Sequence, residues 1–142
     1  MQNYKNHIRF NPLHHFMLTP LLLVVFIWSV VDLVNSDNAS TQQILLVLLA
    51  FGAIFMSLVA RLYGLKNQDR IIRLEMRQRY FELTGESFLT KETELRMSQI
   101  IALRFASNEE LLELMDRAIK EKLSAKEIKQ AIKNWQADHM RV

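Results

Sequence analysis

Two uninterrupted apolar runs fill the first half of the chain, and a charged half with helical periodicity follows them. The runs cover residues 16–34, where Asp32 is the one charged residue, and 44–60, which carry no charge. As helices that rise 1.5 Å per residue, they would be about 26–28 Å long, close to the hydrocarbon core of a bilayer. The pattern predicts two transmembrane helices, which we assign to residues 16–34 and 44–62.

The distribution of basic residues predicts how these helices are oriented. Lys5 and Arg9 precede the first run and a basic segment follows the second, whereas the intervening loop 35–43 has neither Lys nor Arg. Basic residues near span ends stay on the cytoplasmic side. We therefore expect an antiparallel hairpin in the bacterial inner membrane, with both termini cytoplasmic, a periplasmic loop at 35–43 and an interfacial segment at 1–15. Ser40 or Thr41 is expected to cap the second helix.

A cleaved signal peptide is the competing interpretation of the first run. The run is longer than a typical signal core, no small-x-small cleavage site closes it, and a second span follows within ten residues. These features favour a membrane anchor.

Residues 63–84 are predicted to continue the second span as a membrane-proximal basic helix that ends near Gly85. Apolar residues recur there at an average spacing of 3.5, with Asp69 and Arg79 in two of the expected places. Such a seam predicts packing on another helix. The interaction residues assigned from it are Leu58, Leu62, Leu65, Ile72 and Met76.

Residues 93–142 are predicted to form a small cytoplasmic helical domain after a connector at 84–92. Residues 93–106 are interpreted as a helix, although Ile101, Leu103 and Phe105 alternate as in a strand, because no second strand is expected to pair with them. Ser107 and Ser124 each begin a capping box, which predicts two further helices. The last helix would present Ile128, Ala131, Ile132 and Trp135 on one face, and Trp135 is assigned to the core or to an interaction surface.

The predicted fold class is therefore all-α: a transmembrane helical hairpin, a second span that continues into a cytoplasmic helix, and a small helical C-terminal domain. Residues 1–60 hold only two of the 18 Lys and Arg residues, which fits an anchor joined to a soluble domain. The absence of Cys excludes disulfides, thiolate metal sites and cysteine nucleophiles. No glycine-rich phosphate loop, H-E-x-x-H motif or supported Ser/His/Asp arrangement is present, so no enzyme activity, cofactor or small-molecule substrate is predicted.

Two groups of residues suggest ligands. His7, His14 and His15 share one helical face and are candidates for binding zinc or haem iron. Interfacial anchoring is the simpler interpretation, because no acidic residue joins them. A basic row is predicted to contact anionic lipid headgroups, at about 1 kcal/mol per residue, and also constitutes the topology signal. Its members are Arg61, Lys66, Arg70, Arg73 and Arg77.

Asp32 is interpreted as a solvated helix end rather than as a proton relay. Nucleic-acid binding is not expected. The net charge is only +3, and Asp69, Glu75 and Glu82 interrupt the basic row.

Several segments resemble a family of small bacterial membrane proteins found in Bacteroidetes and related Gram-negative groups. They are QNYKNH at 2–7, PLHHF at 12–16, QDRIIRLE at 68–75, IALRFAS at 101–107 and AIKNW at 131–135. The resemblance extends over nearly the whole chain. Because that family has no assigned activity, it implies an inner-membrane location and no mechanism.

The sequence therefore favours a non-catalytic accessory or assembly subunit of a larger membrane complex, of respiratory or secretion type. One alternative is a homo-oligomeric scaffold with a lipid-contacting basic helix. Another is a metal- or cofactor-binding membrane protein that uses the N-terminal histidines. The expected partners are membrane lipids and either a larger membrane complex or further copies of the chain.

Overall fold

The computed structural model describes Tyr4 and residues 11–137, and all the regular secondary structure among them is helical. This confirms the all-α prediction. A π-helical turn at Leu13–Leu18 leads into the first of six α-helices. In chain order these are α1 (Thr19–Val34), α2 (Thr41–Thr84), α3 (Leu89–Glu94), α4 (Met97–Leu103), α5 (Asn108–Lys120) and α6 (Ala125–Ala131). Residues 11–137 divide into two compact units, 11–65 and 66–137.

The N-terminal unit contains the two apolar stretches. The helical segments Leu13–Val34 and Thr41–Thr84 are each long and apolar enough to cross a membrane. The first begins three residues before the predicted boundary, as a π-helical turn in which the amide and the hydroxyl of Thr19 both donate to the carbonyl of His14. Pro20 follows directly in α1 and has no N–H, so it cannot donate a helical bond back to the π-helical turn.

Contacts within this unit join α1 to α2 in antiparallel order. Phe26 and Phe51 lie with their ring centroids 6.2 Å apart. Each helix also buries a small residue, Ser29 in α1 and Ala50 in α2. Ser40 caps α2: its hydroxyl accepts from the Gln43 amide at 3.3 Å, and the Gln43 side chain accepts from the Ser40 amide at 3.0 Å. The predicted cap is thus confirmed at Ser40.

The C-terminal unit has one hydrophobic core, to which α2, α4, α5 and α6 contribute together with Phe88 and Leu95, the residues on either side of α3. From α2 it takes Ile72, Met76 and Tyr80, which lie on one face at helical spacing. Tyr80 packs on Phe88, with ring centroids 5.3 Å apart. The other buried apolar members are Leu95, Ile100, Ala102, Leu103, Phe105, Ala106, Leu111, Leu114, Met115, Ala118, Ile128 and Ile132.

The predicted connector and the helix after it differ from the structure. Part of the connector 84–92 is helical, since α3 begins at Leu89. The predicted helix 93–106 is interrupted at Leu95, whose extended backbone (φ −108°, ψ 137°) places its side chain in the core. Gln99 then fixes the start of α4 by accepting from the Arg96 amide and donating to the Leu123 carbonyl, both at 2.7 Å. This break explains why the apolar pattern of 93–106 is not cleanly helical.

The end of the described chain is extended where a helix was predicted. α6 ends at Ala131, and Trp135 instead forms an antiparallel bridge with Ala106. The amide of Gln136 donates to Phe105 at 2.8 Å, and that of Ser107 to Asn134 at 3.1 Å. The prediction that Trp135 belongs to the face of the last helix is therefore wrong. The strand-like alternation around Phe105 has a partner after all.

The two predicted capping boxes are confirmed. The Ser124 hydroxyl accepts from the Glu127 amide at 3.3 Å, and the Glu127 carboxylate accepts from the Ser124 amide at 2.7 Å. At α5 the carboxylate of Glu110 accepts from the Ser107 amide at 3.5 Å. The same carboxylate also accepts from the amides of Lys133 and Asn134, at 3.1 and 3.0 Å, and so ties α5 to the segment after α6.

Candidate functional site

The histidines assigned as candidate ligands lie at the start of the first apolar helix. His14 and His15 contact each other edge to face, with ring centroids 5.1 Å apart, and His14 Nε2 lies 3.4 Å from the Ser57 hydroxyl. His7 falls outside the described residues. Among the residues that the structure describes, no three His, Cys, Asp or Glu side chains come together as a metal site would require. Among the described residues, His14 therefore contacts α2 and does not belong to a group of metal ligands.

Asp32 lies near the end of α1 and binds the start of α2. Its carboxylate accepts from the side-chain amide of Gln43 at 2.9 Å. The bond joins the two helices next to the loop between them. It gives the carboxylate a structural contact, and the residue remains exposed.

The basic row on α2 divides into two groups. Arg73 and Arg77 lie beside Glu92 of α3, with Arg77 Nε 2.6 Å and Arg73 Nη1 3.2 Å from the carboxylate. Their charge is therefore partly compensated within the chain. Lys66 and Arg70 are exposed, and Arg61 is half-buried. Of the five predicted headgroup contacts, Arg73 and Arg77 therefore have less of their charge available to an anionic surface.

Arg79 has a structural position that the sequence did not indicate. Its Nη1 and Nη2 donate to the carbonyls of Arg104 and Ala106 at 3.2 and 2.6 Å, and its Nε donates to Asn108 at 2.7 Å. Burial lowers the pKa of the guanidinium, an effect that the charge of Glu109 opposes. Arg79 thus joins α2 to the turn between α4 and α5. In the heptad pattern this position is merely a charged interruption of an apolar seam.

The predicted interaction seam is divided between the two units. Ile72 and Met76 are 2% and 1% exposed, in the core formed with the chain's own C-terminal helices. Because other residues of the same chain cover them, they are not available to a second protein. The prediction that Ile72 and Met76 are intermolecular contacts is therefore wrong. Leu58 and Leu62 are exposed and Leu65 is half-buried, so these three remain candidates. Trp135 is half-buried and packs on Phe105 with ring centroids 5.3 Å apart, which identifies it as a core-edge residue.

A different apolar stripe on α2 is exposed in the C-terminal unit. Ile71, Leu74 and Phe81 are 55%, 61% and 59% exposed, and they lie on the helix face opposite Ile72 and Met76. This stripe is hard to recognise in the sequence because Gln78 interrupts it and because the stronger apolar pattern of residues 72, 76 and 80 adjoins it. The feature of the sequence that indicates it is the alternating 3–4 spacing of residues 71, 74, 78 and 81, which is that of heptad positions a and d.

The comparisons with known proteins identify a family for this chain. The model of a family of unknown function, DUF6526, matches residues 1–142. The chain belongs to the DUF6526 family. The resemblance to a family without an assigned activity is thereby confirmed. No curated protein and no solved structure matches the DUF6526 chain significantly.

Membership of DUF6526 supplies no activity, substrate or partner. The chain itself exposes two kinds of surface that bear on its function. One is the apolar surface of α1 and the first half of α2, and the other is the stripe on the second half of α2 with its charged flanks.

Proposed function

We propose that the chain is an integral inner-membrane protein without catalytic activity that serves as an accessory or assembly subunit of a larger membrane complex, of respiratory or secretion type. In this proposal α1 and residues 41–62 of α2 form a transmembrane hairpin. Both termini are cytoplasmic, and the C-terminal unit is a cytoplasmic domain for protein contacts.

The observation that carries the proposal is the exposure of large apolar side chains along both helices. Trp28 is 74% exposed, Met56 71% and Phe55 61%. Leaving such a side chain in water rather than burying it costs about 1.5–3 kcal/mol. A lipid environment removes this cost along α1 and residues 41–62 of α2, and the helical backbone satisfies its own polar groups there.

The polar residues at the two ends support the same arrangement. The Asp32–Gln43 bond lies beside the loop, where both side chains can meet water. Arg61, Lys66 and Arg70 follow the second apolar stretch, as expected for its cytoplasmic end. These three residues are also proposed to contact anionic headgroups there.

A cysteine-accessibility experiment tests the orientation. Because the chain has no Cys, single substitutions give unambiguous labelling sites. Asn38→Cys lies in the loop and Ser98→Cys is exposed on α4. In intact cells a membrane-impermeant maleimide should label Asn38→Cys alone, and permeabilised cells should label both. Labelling of Ser98→Cys in intact cells, or release of the protein by alkaline carbonate, would contradict the proposed anchoring.

Purification from native membranes in mild detergent tests the accessory role. We expect a tagged full-length chain to bring down larger membrane proteins in fixed ratio, identified by mass spectrometry and by sizing of the eluate. An eluate that contains only this chain would overturn the accessory-subunit proposal while leaving the membrane anchor intact.

A further inference from the structure

The exposed stripe on α2 has the residue pattern of one strand of a coiled coil. Its positions 71, 74, 78 and 81 follow the 3–4 spacing of heptad positions a and d, occupied by Ile71 (a), Leu74 (d), Gln78 (a) and Phe81 (d). A β-branched residue at a with Leu at d favours two-stranded coils. A polar residue at a single a position fixes the register at some cost in stability. All four side chains are exposed.

The residues that flank the stripe are charged, with one sign on each side. Arg70 and Arg77 occupy the g positions, and Glu75 and Glu82 the e positions. In a parallel two-stranded coil, a g residue faces the e residue five places later on the partner helix. That geometry would place Arg70 opposite Glu75 of the other copy, and Arg77 opposite Glu82. An antiparallel pairing would instead oppose Arg to Arg and Glu to Glu.

We propose that two copies of this chain associate in parallel through this stripe of α2, with Ile71, Leu74, Gln78 and Phe81 in the seam. The pairs Arg70–Glu75 and Arg77–Glu82 between copies set the orientation. This inference deepens the proposed membrane function and rests on it, because copies inserted in one membrane with one topology present α2 in parallel.

The flanking residues are free enough for these roles. Arg70 and Glu75 are both exposed, and neither forms an ion pair within the part of the chain that the structure describes. Arg77 binds Glu92 through Nε and Nη2, which leaves Nη1 for a second carboxylate. Glu82 accepts a bond from Gln78 at 2.8 Å, so this exposed carboxylate already lies beside the stripe.

The stripe covers only about two heptads, which is short for a free coiled coil. Confinement to a bilayer raises the effective concentration of the copies and makes their orientation equal, so a weaker interface suffices. The seam of each copy lies opposite the face that holds Ile72 and Met76. Dimerisation therefore leaves the core of the C-terminal unit undisturbed.

Disulfide crosslinking of the full chain in nanodiscs tests the interface. In a parallel dimer, residue 78 of one copy faces residue 78 of the other, so Gln78→Cys should give a crosslinked dimer under mild oxidation. Ser98→Cys, exposed on α4, is the matched control and should remain monomeric. Equal crosslinking at both sites, or a monomer mass for the unmodified chain in nanodiscs, would overturn the proposal.

Charge exchange in the Gln78→Cys background tests the orientation. Arg70→Glu should weaken self-association by about tenfold, because two attractive pairs per dimer become repulsive. Glu75→Arg should do the same, and the double variant should restore crosslinking. A mixture of the two single variants should form heterodimers. If Arg70→Glu leaves crosslinking unchanged, the parallel pairing is wrong.

Alkaline carbonate extraction of the same membranes separates this inference from the proposed function. A retained protein that does not crosslink at residue 78 refutes the dimer and leaves the anchor standing. A released protein that still crosslinks there refutes the anchor and supports the dimer. Crosslinking of residue 78 to another protein, but not to itself, would assign the stripe to a different partner and refute the dimer.

Discussion

Arg77 of α2 donates two parallel hydrogen bonds to Glu92 of α3, from Nε to Oε2 at 2.6 Å and from Nη2 to Oε1 at 3.0 Å. Arg73 adds a third contact to the same carboxylate at 3.2 Å. The hydrogen bond from Arg77 holds the pKa of Glu92 below its ordinary value; burial opposes this effect, and the charges of Arg77 and Arg73 reinforce it. The two basic residues thus fasten α3 to α2.

Replacing Glu92 should weaken the domain in a pH-dependent way. A carboxylate whose pKa is lowered by folding stabilises the fold fully above the pKa of the unfolded chain, about 4.3 for Glu, and loses that effect as the pH falls through the folded pKa. We expect Glu92→Gln to lower the free energy of unfolding at pH 7 by about 1–3 kcal/mol and to flatten the loss below pH 5.

Thermal unfolding of the full chain in detergent, followed by circular dichroism from pH 7 to pH 3, measures both effects. Glu86→Gln is the control, because Glu86 is exposed and its side chain forms no ion pair among the described residues. Parallel stability curves for Glu92→Gln and the wild type would show that the ion pair contributes nothing.

Arg79 should not be replaceable by Lys. Its three nitrogens satisfy two backbone carbonyls and the Asn108 side chain, a planar arrangement that one ammonium group cannot reproduce. We expect Arg79→Lys to lower the free energy of unfolding by about 1–3 kcal/mol. Arg70→Lys, which keeps the charge at an exposed site, should be nearly neutral in the same denaturant titration. Equal stability of the two variants would refute the structural role of Arg79.

The sequence predicted what depends on local pattern. The apolar helices, the caps at Ser40, Ser107 and Ser124, and the stop at Gly85 follow from residues within a few positions of one another. The break at Leu95 and the extended segment at Trp135 could not be found in this way. Each is set by partners distant in the chain, since Leu95 enters a core formed by several helices and Trp135 pairs with Ala106.

The interaction residues on α2 could not be predicted from the sequence because two faces of this helix are apolar. Ile72 and Met76 follow the same seam as Leu65, and they are buried by tertiary packing against residues distant in the chain, most of them in α4, α5 and α6. Ile71 and Leu74, one and two positions away, remain exposed for the same reason. Periodicity identifies apolar faces, but only the fold shows which of them the chain covers itself.

Gly85 ends α2 in a conformation that suits glycine. Its φ is +73°, and its amide donates to the Phe81 carbonyl at 2.7 Å, the bond of a left-handed helix cap. We expect Gly85→Ala to destabilise the C-terminal unit by about 1–2 kcal/mol in denaturant unfolding.

Gly64→Ala is the matched control. An added Cβ meets nothing within 4 Å at either site, so only the backbone angle differs. Gly64 lies inside α2, where Ala should stabilise by about 1 kcal/mol. Effects of the same sign would contradict this account.

Lys122 also occupies a left-handed position at the end of a helix, where glycine is the favoured residue. Its φ is +53°, and it follows the end of α5. The amide of Leu123 donates to Ala118 at 3.1 Å and that of Lys122 to Ile119 at 3.4 Å, which is the Schellman pattern. Left-handed backbone is unfavourable for Lys and costs glycine little, although glycine also gains freedom in the unfolded chain.

We expect Lys122→Gly to raise the free energy of unfolding by about 0.5–1 kcal/mol. Lys120→Gly, within the last turn of α5, should instead lower it by about 1 kcal/mol. The pair of variants removes the same charge from nearly the same place, so opposite signs in denaturant unfolding isolate the backbone effect. If both variants were less stable than the wild type, the Lys122 side chain would stabilise the fold by more than its left-handed backbone destabilises it.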